Sequence, residues 1–277
     1  MQFKINKAAI IHAKRATRKY LRNEFRDKLS QAKISVQLCA LALLFAIIAS
    51  LVIILFRLAL VWLDQYFHSE AVNISSTLTE WRSYLPIVGA ILIWLLSLLG
   101  SKRYRRMGIA YVLHRFKLHY GKVPLQSAAG QFFQALIALV TNFSVGKEGP
   151  AIHLGAVSAS VMAEKFTLPD NSVRIMCASG IAAGIAATFN APLAAVLFVF
   201  EVIVREYKIH YFFPIMLSAI CGAVSSQIVF GNIHEYELIN VIRIPLDHYP
   251  ILLIGGIVLG CTAALFNFLL FKVIEKG

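Results

Sequence analysis

The sequence predicts an all-α integral membrane protein, and two observations carry that prediction. Of its 277 residues, 58% are hydrophobic and 15% are charged, with a mean hydropathy of +0.70. The run from Ile34 to Leu63 holds a single charge, Arg57, in thirty residues. Soluble domains interleave charges along their surface, whereas about twenty apolar residues in a row are enough to cross a bilayer. We therefore expect a multi-pass membrane protein whose solvent and partner is the lipid bilayer.

The formal net charge of +13 is concentrated beside the predicted spans. Ten of the 27 basic residues precede Ile34, and seven more lie between Lys102 and Lys122. Basic residues flank membrane spans on the cytoplasmic side, so this distribution predicts a cytoplasmic N-terminus. No base-stacking or groove-reading motif accompanies the charge, and nucleic acid is not an expected partner. We assign residues 1–33 to a cytosolic basic amphipathic segment and residues 34–277 to a membrane domain.

The apolar segments become shorter along the chain. A second run from Leu85 to Gly100 returns the chain to its starting side. Beyond Ser127, glycine, proline and polar residues cut the sequence into runs at Ala128–Val145, Ala151–Phe166, Val173–Phe189, Pro192–Val204, Tyr211–Phe230 and Pro250–Ile274. Several are too short for a full span. Backbone that breaks inside a bilayer is tolerated around a protein-lined cavity, so the pattern predicts short, broken and tilted helices around a site.

One glycine-flanked loop carries the chemistry. Residues 145–156 read V-G-K-E-G-P-A-I-H-L-G-A, and we expect an apolar helix that begins at Pro150, because proline suits the first helical position. The N–H groups and positive dipole end of that helix would face Glu148 and would favour an anion. The Glu148 carboxylate could occupy this position itself until it is protonated. The alternative is an acidic residue that only stabilises the helix start.

Two motifs then resemble one family. G-K-E-G-P at Gly146–Pro150 and G-I-A-A-G-I-A-A-T-F-N-A-P-L-A at Gly180–Ala194 look like the paired motifs of the CLC chloride channels and chloride/proton exchangers. The resemblance implies an inverted-repeat bundle, of which this chain holds the N-terminal half and the first helix of the second half. It also implies transport of an inorganic anion, with chloride or another halide as the transported ion, and possibly of protons. We expect no enzymatic activity, cofactor or metal.

The resemblance also implies roles for individual residues and an assembly. Glu148 corresponds to the gating glutamate, while Gly146, Lys147 and Gly149 would line the anion path; Lys147 would shape the electrostatic field there. The segments Pro192–Val204 and Tyr211–Phe230 resemble the family's dimer-forming helices. We therefore expect a homodimer, in a cell membrane such as the bacterial inner membrane.

A second family motif, G-S-G-I-P, is only partly kept. Counting back from the glutamate loop leads to Met107, Gly108 and Ile109, which we expect to bind the anion through backbone N–H groups. Met107 replaces the family serine and has no proton to donate. This residue resembles the fluoride/proton antiporter branch, although Pro150 resembles the chloride branch. A fluoride-selective exchanger is therefore an alternative.

The proton path is also altered relative to the exchangers. Their internal proton-transfer glutamate follows another acidic residue, and here that pair reads Glu201-Val202. Valine at the transfer position resembles the channel members. Glu201 is either a remaining relay or a helix-end residue paired with a base such as Arg205. His153 could also pass protons, although packing is the alternative.

The chain stops at Gly277, before the second-half motifs of the family. We expect a fragment, a truncated product or one part of a split transporter. A membrane scaffold subunit that has lost transport is the alternative from another functional class.

Overall fold

The computed structural model describes residues 36–68, 84–99, 106–206, 208–231 and 249–276, and within these ranges the chain is helical with no strand. The predicted segment 1–33 lies outside the described residues. We number the helices α1 to α9: Val36–His68, Leu85–Leu99, Gly108–Leu118, Leu125–Val140, Glu148–Lys165, Asp170–Phe189, Pro192–Phe198, Ile209–Phe230 and Tyr249–Lys276. The all-α prediction is confirmed.

Four of these helices are long and apolar enough to cross a membrane. They are α1, α6, α8 and α9, while α2, α4 and the segment Pro192–Val204 are apolar but shorter. The mixture of full and short apolar helices agrees with the sequence, and an integral membrane protein follows from it.

The predicted start of α5 is wrong by two residues. We expected the helix to begin at Pro150, but its first helical residue is Glu148 and its N-cap is Lys147. Proline is tolerated at the third position for the same reason as at the first, because the initial N–H groups of a helix have no intrahelical acceptor. Glu148 thus belongs to the first helical turn rather than to the preceding loop.

Small residues bring α5, α6 and α8 close together. A Cβ at Gly155 would overlap the carbonyl oxygen of Gly180, and a Cβ at Gly180 would overlap that of Gly155. Gly222 lies equally close to the Ala183 carbonyl. This close backbone approach is the role that glycine and alanine play between membrane helices. It makes α6 the buried centre of the bundle.

The F-N-A-P sequence forms the turn from α6 to α7. Asn190 ends α6 with φ of 53°, in the left-handed region that asparagine tolerates better than most residues. Pro192 then lies at the start of α7, which changes into a π-helical turn at Val199–Val204. The predicted single run Pro192–Val204 therefore forms an α-helix followed by a π-helical turn.

The chain divides into two compact units, within Met1–Glu235 and Tyr236–Gly277. The second contains α9, a helix of 28 residues. All the candidate site residues belong to the first unit. The assignment of residues 34–277 to one membrane domain stays a prediction.

Candidate functional site

The first turn of α5 is a helix N-terminus with a carboxylate on it. Ala151 N–H makes a hydrogen bond of 3.1 Å to the Lys147 carbonyl, which leaves the N–H groups before it without that kind of partner. The positive end of the helix dipole therefore points to the loop that holds Gly146. Glu148 is exposed in the chain, while Pro150 and the residues that follow it are buried. The Glu148 side chain therefore lies at the surface of the described part of the chain.

The Glu148 carboxylate lies against the backbone of Gly146. A Cβ added at Gly146 would overlap Oε2 of Glu148 and would lie 2.7 Å from its Cδ. Only a residue without a side chain leaves room for the carboxylate in this position. The first glycine of the motif thus creates a niche that the glutamate fills.

Lys147 connects the start of α5 to the end of α6. Its Nζ lies 5.6 Å from the centroid of the Phe189 ring, within the range of a cation–π interaction. Phe189 directly precedes the left-handed Asn190, whose Oδ1 accepts a hydrogen bond of 2.8 Å from Gln227 Nε2. The two motifs that are 34 residues apart in sequence therefore meet at one end of the bundle.

The segment Met107–Ile109 lies at the start of α3, as expected for a helix N-terminus. Gly108 has φ of +81°, a conformation that side-chain-bearing residues rarely adopt, which explains a glycine here. Met107 is the extended N-cap and its side chain makes no capping hydrogen bond. Its Sδ instead packs against α4, 3.2 Å from where a Cβ on Gly130 would lie. The thioether contributes packing rather than a donor.

His153 joins the start of α3 to α5. Its Nδ1 accepts a hydrogen bond of 3.2 Å from Gly108 N–H, and its Nε2 lies 2.9 Å from Ser127 Oγ. Because His153 follows Glu148 by five residues, the two helix starts are separated by about 7.5 Å along α5. The prediction that both loops are helix N-termini is confirmed, whereas a shared anion cavity stays a prediction.

Glu201 lies outside the helices that hold this cluster. It is exposed in the π-helical turn, and nine residues separate it from Pro192, or about 14 Å along the helix. Arg205 donates a hydrogen bond of 3.3 Å to the Val202 carbonyl and ends the turn in a left-handed conformation. Glu201 therefore lies on a different element from Glu148, which is on α5.

The comparison with protein families decides the assignment. The family model described as the voltage-gated chloride channel matches residues 88–276, which include both motifs and every candidate site residue. The chain belongs to this family. The resemblance to the CLC family inferred from Gly146–Pro150 and Gly180–Ala194 is thereby confirmed.

Curated CLC relatives are similar over most of this chain. The voltage-gated ClC-type chloride channel ClcB of Salmonella typhimurium is 27% identical over 240 residues, covering 83% of this chain and 57% of ClcB. The H(+)/Cl(-) exchange transporter ClcA of Vibrio vulnificus is 28% identical over 264 residues, covering 86% of this chain and 52% of ClcA. The chain thus spans about half the length of these relatives.

Solved structures have the same fold. A slow cyanobacterial Cl-/H+ antiporter gives a TM-score of 0.68 at 23% identity, covering 87% of this chain and 58% of that chain. A CLC-type fluoride/proton antiporter gives 0.62 at 23% identity, with coverages of 81% and 55%. At these identities the likeness establishes the fold.

Arg57, the lone charge in the apolar run of α1, is a polar anchor whose partners could not be identified from the sequence. Arg57 Nη1 donates hydrogen bonds of 2.7 Å to the Ala187 carbonyl and 2.6 Å to Ser226 Oγ. Its guanidinium carbon lies 4.1 Å from the centroid of the Phe230 ring. The signal was available, since a lone charge within an apolar span is a functional candidate by default.

Proposed function

We propose that the chain forms part of a CLC-type pathway for an inorganic anion, chloride in the first instance, and that Glu148 gates it. The single observation that supports this most strongly is the Glu148 carboxylate held in the Gly146 niche at the start of α5. Family membership supports the same reading. The chain acts in transport rather than as an enzyme.

The gate works by competition for one positive helix end. A carboxylate and a chloride ion are both anions, and the dipole and free N–H groups of α5 stabilise either of them. The ionised Glu148 side chain therefore excludes the transported anion from Gly146, Lys147 and Gly149. Protonation removes its charge, so the carboxyl group loses that stabilisation and leaves the site to the anion.

Chloride is the favoured ion, and one observation keeps fluoride as a second candidate. Both curated relatives described above carry chloride in their names, and Pro150 matches the chloride branch. Met107 supports fluoride because methionine in place of the family serine resembles the fluoride/proton antiporter branch. Flux measured with each halide in turn distinguishes the two.

We further propose that proton coupling is weak. Val202 has no titratable group at the position where exchangers hold their internal glutamate. Glu201 is exposed about 14 Å along the helix from Pro192, and a relay from it to Glu148 needs water or additional groups. Channel-like or loosely coupled transport fits these residues better than tight exchange.

The orientation and assembly are proposed from charge and exposure. Lys122 pairs with Asp170 at the start of α6, whereas Lys147 contacts Phe189 at the other end of that helix. The basic cluster that contains Lys122 supports a cytoplasmic N-terminus in a cell membrane. On α7 and α8, Leu193 is 73% exposed and Ile228 is 79% exposed. These apolar surfaces support a homodimer through Pro192–Val204 and Tyr211–Phe230.

The experiment is chloride efflux from liposomes that contain the protein expressed from its gene. We expect chloride efflux that exceeds that of empty liposomes and increases as the pH is lowered. Absence of efflux from correctly inserted protein would favour the scaffold subunit instead.

A further inference from the structure

His153 is completely buried and contacts two other helices. It is 0% exposed, its ring stacks on that of Tyr111 at 5.7 Å with 14° between the planes, and its two nitrogens reach Gly108 of α3 and Ser127 of α4. A buried histidine with a partner on both nitrogens has a fixed orientation.

The partners also fix which nitrogen carries the proton. Gly108 N–H can only donate, so Nδ1 must present its lone pair. Ser127 Oγ donates its own proton to the Pro124 carbonyl at 2.7 Å, which leaves an oxygen lone pair for a proton from Nε2. The whole chain of bonds is satisfied by one neutral tautomer, with the proton on Nε2.

In this tautomer, Nδ1 of His153 accepts the hydrogen bond of the first backbone amide of α3. Gly108 is the first helical residue, and its N–H would otherwise be among those available to an anion. The His153 lone pair takes the position that an anion would need in order to bind that N–H. At the same segment Met107 offers no side-chain donor, so α3 presents fewer donors than the predicted three-residue site requires.

We propose that His153 is a positioning and specificity-determining residue: it fixes the first turn of α3 on α5 and withholds the Gly108 amide from the transported anion. This inference rests on the proposed anion pathway. Because an ion that enters must exchange its hydration shell for protein donors, the loss of one donor matters most for the anion that holds water most strongly, fluoride. We therefore expect His153 to lower the preference for fluoride, the opposite of the preference that Met107 suggests.

Replacement of His153 tests whether its side chain occupies the Gly108 N–H. Glutamine can accept from Gly108 with Oε1 and donate to Ser127 with Nε2, so His153→Gln should keep the amide occupied. Leucine can do neither, so His153→Leu should release it. The pair differs in hydrogen bonding while both fill the site with a side chain of comparable length.

The measurement is nuclear magnetic resonance of ¹⁵N-glycine- and ¹⁵N-histidine-labelled protein in lipid bilayers, titrated with sodium chloride and sodium fluoride. Wild type should have the His153 proton on Nε2 and a Gly108 amide that neither salt shifts; His153→Gln should match it. In His153→Leu, the Gly108 amide should move on titration, more with fluoride than with chloride. Sodium gluconate at equal ionic strength is the control.

Three results would overturn the inference: a His153 proton on Nδ1, a wild-type Gly108 amide that already responds to chloride, or an amide that stays unresponsive in His153→Leu. If His153→Leu does not insert or fold, the first two results are still decided on wild type. Failure of the proposed function is distinct, since it appears as unresponsive amides at Gly146 and Gly149 in Glu148→Gln.

Discussion

The Glu148 carboxylate fills the space that a side chain on Gly146 would occupy. Gly146 has no positive φ, so an alanine there suits the backbone but not the neighbouring carboxylate. The absence of a side chain at position 146 is therefore a requirement of the gate geometry and not of the loop conformation.

Gly146→Ala should open the proposed gate without removing the glutamate. Overpacking of this kind costs about 1–3 kcal/mol. If the Glu148 carboxylate in the niche is destabilised by the lower of these values, its occupancy of the niche falls about fivefold. We expect faster chloride efflux at neutral pH and a weaker response to acid. Gly260→Ala is the control, because a Cβ there meets nothing within 4 Å. Efflux and pH response equal to those of Gly260→Ala would contradict this arrangement.

Gly155→Ala should destabilise the bundle rather than the gate. The added methyl group would overlap the Gly180 carbonyl oxygen on α6, and two helix backbones must separate to admit it. We expect a loss of about 1–3 kcal/mol or more in the free energy of unfolding. Thermal unfolding in detergent measures it against Gly256→Ala, where the space is open. An unchanged unfolding temperature would show that the α5–α6 approach is looser than described.

Arg57→Gln should weaken the contact of α1 with the ends of α6 and α8. The guanidinium carries both hydrogen bonds to Ala187 and Ser226, and burying an acceptor without its donor costs about 1–3 kcal/mol. Ser226→Ala should cost less, because it removes a partner and leaves Arg57 bonded to Ala187. Chemical unfolding of both variants provides the comparison, and equal stabilities for Arg57→Gln and wild type would contradict it.

Cysteines introduced at Leu193 or Ile228 should cross-link two copies of the chain in bilayers, because both positions lie on the proposed dimer helices. The four native cysteines, Cys39, Cys177, Cys221 and Cys261, are first replaced by alanine. Leu51 on α1, which is 62% exposed, provides the matched position outside the proposed interface. Equal cross-linking at Leu51 and Leu193 would indicate random collision, and none at either dimer position would argue for a monomer.

The sequence predicted those features that local chemistry determines. The apolar run around Arg57, the break at Gly146–Pro150 and the break between Phe189 and Pro192 follow from composition, glycine and proline. The start of α5 was misplaced because proline is acceptable at any of the first positions, so Pro150 does not define which one it occupies.

Contacts between distant segments could not be predicted from the sequence. Gly108 and His153 are 45 residues apart, and no periodicity connects a glycine amide to a particular ring nitrogen. Arg57 and Ala187 are 130 residues apart, and the lone charge signalled a partner without identifying it. The π-helical turn at Val199–Val204 likewise depends on packing, since the residues there are ordinary helix and strand formers.

The most direct test of the gate is the pH dependence of chloride efflux in Glu148→Gln compared with wild type. Glutamine has nearly the size of glutamate but never carries the negative charge that the α5 dipole stabilises. With wild type, lowering the pH should protonate Glu148, vacate the niche and increase efflux. Glu148→Gln should give high efflux at every pH, with proton uptake absent. Efflux in Glu148→Gln that stays as sensitive to pH as that of wild type would contradict the account.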